Sequence, residues 1–172
     1  MIGIVLVTHG AIGDALRDAM EHVVGAQKQV ATLSIGAEDD IQHRRRELEA
    51  AVAAVDSGDG VILLTDMFGG TPSNLAISML NRDAGGRTGI EVIAGVNLPM
   101  LVKLGKIRSS RTMPECVELA EIVGRKYIAA ASNLPEACLG GAACCSMAAP
   151  GTPPATADIV REPEARRPAM AG

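Results

Sequence analysis

Apolar residues in this chain recur in two rhythms that alternate along its length. Ile2 to Val7, Val30 to Ile35, Val61 to Thr65 and Ile90 to Val96 are short runs rich in Val, Ile and Leu, a composition that suits strands. Nearly unbroken apolar runs of this kind fit strands buried on both faces. Between them Ile12, Leu16, Ala19 and Val23, and then Ile41, Leu48, Val52 and Val55, repeat at helical spacing. A third helix opens at Pro72, a fourth near Pro99, and a fifth runs from Pro114 to about Val123. A proline suits the first helical position because no N–H is needed there. This alternation predicts an α/β fold, a doubly wound and mostly parallel sheet whose right-handed helical crossovers give the strand order 2-1-3-4. The segment KYIAAA, Lys126 to Ala131, predicts a short final edge strand.

After about Ser132 the rhythm stops and the composition turns to Ala, Gly, Pro and Cys. Such a stretch buries too little apolar surface to order itself, so the expected organisation is one domain over residues 1–131 and a flexible tail over 132–172. The 172 residues suit a single α/β domain. A net charge of −4, with only Phe68 and Tyr127 as aromatics, argues against a nucleic-acid surface. The first residues, MIGIVLVTHG, have neither a basic leader nor a cleavage site and read as a strand. Nor does any apolar run have the length of a membrane span. Cys116, Cys138, Cys144 and Cys145 lack paired CxxC spacing, so reduced cytoplasmic thiols are expected rather than a metal site or a structural disulfide. No metal and no cofactor is expected.

The chemistry gathers at strand ends. In an open parallel sheet the ligand crevice lies beyond the carboxyl ends of strands whose connections leave to opposite faces. For the order 2-1-3-4 that point falls between strands one and three, which end in Thr8-His9-Gly10 and in TDMFGG, Thr65 to Gly70. His9 and Asp66 are therefore predicted neighbours. Gly69 and Gly70 let backbone amides turn inward, while Thr71 caps the next helix and Pro72 takes its first position. Amides at a positive helix end attract a phosphoryl group. An imidazole, with an unperturbed pKa of about 6.5, keeps a nucleophilic lone pair near neutral pH. Asp66 would fix its tautomer from behind, because a carboxylate touching the phosphate would be repelled by it. The Thr71 hydroxyl and the amides around Gly69 and Gly70 would stabilise charge on the transferring oxygens.

GIVLVTHG at the N-terminus, LLTDMFGGTPSN in the middle and EVIAGVNLPML at Glu91 to Leu101 together resemble the IIA component of the mannose-type, phosphoenolpyruvate-dependent sugar phosphotransferase system. The resemblance covers roughly residues 1–130. It implies that His9 carries the phosphoryl group, that Asp66 pairs with it, and that Gly69, Gly70, Thr71 and Pro72 form the family's turn. It also implies a phosphohistidine intermediate and phosphate taken from the phosphocarrier HPr and passed to a IIB component. A homodimer that exchanges a C-terminal strand is implied too, with KYIAAA as that strand. Where some members continue through a linker into a IIB domain, this chain stops, so the acceptor is expected on another chain or the phosphorylated state serves as a regulatory signal. The cytoplasm is the expected location, with the membrane reached only through a transporter complex.

Taken singly, each residue has an ordinary alternative. A histidine at a strand end is often a hydrogen-bonded loop residue, Asp66 alone is a common cap, and many helices start with Gly-Gly-Thr-Pro. Phe68, which stands where some members carry a larger aromatic, and Asn97 are candidate site-lining residues. Met67, Phe68, Leu98 and Met100 offer an apolar docking rim. His22, His43 and the triplet Arg44 to Arg46 read as solvated helix residues. Two other classes stay open: a receiver-like domain phosphorylated on Asp66, which would need an acidic pair after strand one where Thr8-His9-Gly10 stands, and a non-catalytic module sensing phosphate or a partner.

Overall fold

The computed structural model describes residues 1–80 and 89–133. Four strands, β1 (Gly3–His9), β2 (Val30–Ile35), β3 (Val61–Thr65) and β4 (Ile90–Ala94), alternate with α1 (Ile12–Val24), α2 (Ile41–Val55), α3 (Thr71–Leu80), α4 (Leu98–Ile107) and α5 (Met113–Lys126). The strands form one sheet in the order β2-β1-β3-β4. All three pairings are parallel, with Val7 opposite both Leu33 and Thr65. This is the topology expected from the alternating pattern.

Successive strand residues point to opposite faces, and the two faces carry separate cores. Ile4, Leu6, Ile62 and Leu64 pack with Met20, Leu101, Leu104 and Ala120 from α1, α4 and α5. Val5, Val7, Val61 and Leu63 pack with Leu48, Val52, Leu75 and Met79 from α2 and α3. Connections after β1 and β3 thus leave to opposite faces, which opens a crevice between their carboxyl ends.

Two polar devices hold the ends of β1. At its carboxyl end the buried Thr8 hydroxyl accepts the Gly13 amide at 2.8 Å, satisfying a first-turn N–H of α1 where the N-cap residue Ala11 has no capping side chain. At the other end Arg108, 1% exposed, donates to the carbonyls of Ile2 at 2.9 Å, Gln29 at 3.3 Å and Lys28 at 2.5 Å. It joins the end of α4 to the starts of β1 and β2.

One predicted element is corrected. Lys126 to Ala131 is not a strand: α5 continues through Lys126, Tyr127 closes it, and Ala131–Asn133 form a 3₁₀ turn. The buried stripe Cys116, Ala120 and Gly124 keeps helical spacing beyond Val123, and Arg125 and Lys126 suit a helix C-terminus. A strand also needs a ladder partner, and among the described strands β4 pairs only with β3. The chain divides into two units, Met1–Ala129, which holds every strand and α-helix described above, and 130–172. The described residues of the second, 130–133, hold the 3₁₀ turn at Ala131–Asn133. The predicted tail beyond it, with Cys138, Cys144 and Cys145, falls outside the described residues, whereas Cys116 is a buried free thiol.

Candidate functional site

His9 is the last residue of β1 and lies two positions beyond Val7, so the alternation turns its ring to the α3 side of the sheet. Asp66 follows directly after β3. One carboxylate oxygen of Asp66, Oδ2, lies 2.8 Å from His9 Nδ1 and accepts the His9 amide at 3.1 Å. The other, Oδ1, accepts the Met67 amide at 3.1 Å. The carboxylate is thereby fixed to both backbone and ring.

Exposure separates the pair. The His9 side chain is 44% exposed and that of Asp66 14%, so the imidazole meets solvent while the carboxylate sits behind it. Burial raises the Asp66 pKa, but the ring and backbone hydrogen bonds from His9 outweigh it and hold the carboxyl below its ordinary value. An ionised carboxylate only accepts. Nδ1 is therefore the donor in this contact, and in the neutral ring the lone pair falls on Nε2.

The Nε2 edge of the ring faces the start of α3. A Cβ built on Gly70 would lie 2.7 Å from His9 Cε1 and 3.0 Å from Nε2, so glycine at 70 is what lets the ring lie against this turn. Gly69 serves differently: its φ of +84° is a left-handed conformation that costs other residues energy. The Gly70 carbonyl accepts the Asn74 amide at 3.1 Å and the Ser73 hydroxyl at 2.9 Å. First-turn amides such as those of Thr71 and Ser73 have no carbonyl partner within a helix, and the helix dipole adds positive potential there. The site thus combines an outward ring nitrogen, Nε2, with a helix start suited to an anion.

Thr71 departs from its expected place. The helix begins at Thr71 with Gly70 as the flanking residue, so Thr71 is the first helical residue rather than the cap, and Pro72 is the second. The exposed Thr71 hydroxyl makes no hydrogen bond within the described residues. Sequence reasoning missed the buried Ser73 hydroxyl, which closes the helix start, and the Thr8 hydroxyl beneath His9. A hydroxyl next to each motif was the available signal.

Asn97 caps α4, its Oδ1 accepting the Met100 amide at 3.1 Å, and its Nδ2 donates to the carbonyls of Gly95 and Gly124 at 3.2 and 3.4 Å. With Phe68, Ala94 and Ile128 it lines a cavity of about 250 Å³ beside β4, which neither His9 nor Asp66 lines. Met67 and Phe68 are exposed as expected, but Met100 is buried in the core and leaves the docking rim. His22 is exposed, His43 faces Glu47 at 3.4 Å, and Arg44 and Arg45 pair with acids near them on α2.

Residues 3–121 match the family model described as the PTS system fructose IIA component. This chain belongs to the mannose/fructose-type IIA family of the sugar phosphotransferase system. It is 33% identical over 152 residues to the PTS system mannose-specific EIIAB component of Escherichia coli (strain K12), an alignment covering 87% of this chain and 46% of that protein. The chain therefore spans about half the length of these two-part relatives. The PTS system fructose-specific EIIA component of Bacillus subtilis (strain 168) is 28% identical over 108 residues, covering 63% of this IIA chain and 71% of that one. Among solved structures, the EIIA phosphotransferase component from Streptococcus agalactiae superposes with a TM-score of 0.70 at 25% identity, covering 78% of this chain and all of its own.

Proposed function

We propose that this IIA chain is a phosphoryl carrier of a phosphoenolpyruvate-dependent sugar phosphotransferase system, with His9 Nε2 as the atom that holds the phosphoryl group. The observation that carries this reading is the 2.8 Å contact between His9 Nδ1 and Asp66, which makes Nδ1 the donor and turns Nε2 to the start of α3. In the forward step the Nε2 lone pair attacks the phosphorus of a phosphohistidine on HPr, in line with the P–N bond that breaks. The electron pair of that bond returns to the donor imidazole. The proton on Nδ1 stays where it is, and Asp66 offsets the positive charge that develops on the ring. Amides of the first turn of α3, and the free Thr71 hydroxyl, receive the charge spread over the three equatorial oxygens.

The second half of the cycle repeats the geometry in reverse, with a IIB component as acceptor. Exposed Met67 and Phe68 beside the ring supply an apolar rim for both partners. A homodimer also fits: β4 is an edge strand whose outer side has no strand partner among the described residues, and Ile128 next to it is 78% exposed. A segment that is irregular in one chain can add to the β4 edge of a second. Among the described residues no helix is long and apolar enough to cross a membrane, in keeping with a cytoplasmic carrier that meets the membrane through a transporter.

Incubation with phosphorylated HPr tests the proposal. Label should appear on the wild-type chain, resist base and be lost in acid, as phosphohistidine does. His9→Ala should abolish it. Label that persists in His9→Ala, or that base destroys, would overturn the assignment.

A further inference from the structure

A second concave surface lies between α4 and α5; neither His9, Asp66 nor the glycine turn lines it, and of the expected docking rim it includes Leu98. Leu98, Pro99 and Val102 of α4 and Val123 and Tyr127 beside them form its apolar floor, in a groove of about 510 Å³. Lys103, Lys106 and Lys126 complete its lining, and no acidic side chain does. None of these lysines has an ion pair or hydrogen bond within the described residues, whereas Arg44, Arg45, Arg111 and Arg125 are each paired to an acid. The groove is thus locally cationic on a chain whose net charge is −4.

We propose that this groove docks an acidic amphipathic helix of a partner protein. The floor residues stand at i and i+4 on each side, Leu98 with Val102 and Val123 with Tyr127, so they present two ridges one helical turn in period. An incoming helix with apolar residues at the same spacing packs between such ridges. Carboxylates flanking its stripe reach the lysine rim, whose long stems extend the floor while their ammonium groups stay in water. Concavity favours a helix over a lipid surface, because interfacial binding uses an exposed apolar face rather than a cleft. The groove needs nothing from His9, so it is separable from phosphoryl transfer.

The probe is a synthetic helical peptide with leucines at i and i+4 flanked by glutamates, followed by fluorescence anisotropy and by amide chemical shifts of the full ¹⁵N-labelled chain. Binding should shift the amides of residues 98–106 and 123–127, weaken with added salt, and vanish for a peptide with lysines in place of the glutamates. The double variant Lys103→Glu/Lys106→Glu should bind about tenfold more weakly, a change of about 1.4 kcal/mol. Val102→Asp tests the floor independently, and unchanged shifts elsewhere in each variant establish that it is folded. The proposal is overturned if the peptide shifts other amides or binds the double variant equally. It also fails if only vesicles containing phosphatidylglycerol perturb the groove, or if the double variant sediments at a lower mass than the wild type, because the groove is then covered by lipid or by a second copy of the chain.

Discussion

At the scale of single residues, the pairing of His9 and Asp66 was legible because both end neighbouring parallel strands, and register alone brings strand ends together. Which ring nitrogen faces the carboxylate was not legible, since it depends on the ring torsion. Thr71 was misplaced for a related reason: Thr-Pro and Gly-Thr-Pro are both good helix starts, and only the Asn74-to-Gly70 hydrogen bond identifies the flanking residue. Asp66→Asn keeps the shape but weakens a charge-assisted contact. Such contacts contribute about 1.5–3 kcal/mol, so phosphoryl uptake should slow by roughly 10- to 100-fold in a rapid-quench measurement. The same variant reports on stability. Because the Asp66 pKa is lowered in the folded chain, its contribution is present above the unfolded carboxyl value of about 3.9 and is lost as pH falls through the folded one. The gap in urea stability between wild type and Asp66→Asn should therefore be full above about pH 4 and close in stronger acid.

The two glycines beside the ring divide one turn's work, and a pair of alanine variants separates it. Gly70→Ala puts a methyl against Cε1 and Nε2 of His9, so labelling should fall by about tenfold or more while the unfolding midpoint barely moves. In Gly69→Ala nothing lies within 4 Å of the new methyl, but the left-handed backbone is strained, so stability should fall by about 1 kcal/mol.

At the scale of elements, hydrophobic period identified all four strands and the first two helices, because strands packed from both sides and helices packed from one leave different rhythms, and Pro72, Pro99 and Pro114 marked the starts of the other three. The failure at Lys126 to Ala131 is instructive. A strand is defined by its ladder, and a short apolar stretch carries no information about whether its partner lies in the same chain. Arg108 was equally hidden, since an arginine after a helix reads as a solvated end, yet here it replaces backbone partners for the starts of β1 and β2. Arg108→Met should remove the guanidinium donor from the Ile2, Lys28 and Gln29 carbonyls, the last of which keeps the Ile4 amide, and cost about 2–4 kcal/mol in urea unfolding. A loss well below 1 kcal/mol would mean that water substitutes for the guanidinium.

At the scale of the whole molecule, the order β2-β1-β3-β4 converts two distant motifs into one crevice, which is why a chain with few aromatics and no dense charge cluster can still present a reactive centre. Carrier chemistry asks little more of a fold than this: a nucleophile at the surface, an orienting group behind it and donors in front. The most direct test is the position of the phosphoryl group on the imidazole, read from ³¹P and ¹⁵N spectra of the phosphorylated chain with labelled histidine. Phosphorus bonded to Nε2 of His9, with Nδ1 still protonated, is the predicted result. Phosphorus on Nδ1, or on any atom outside His9, would contradict the account.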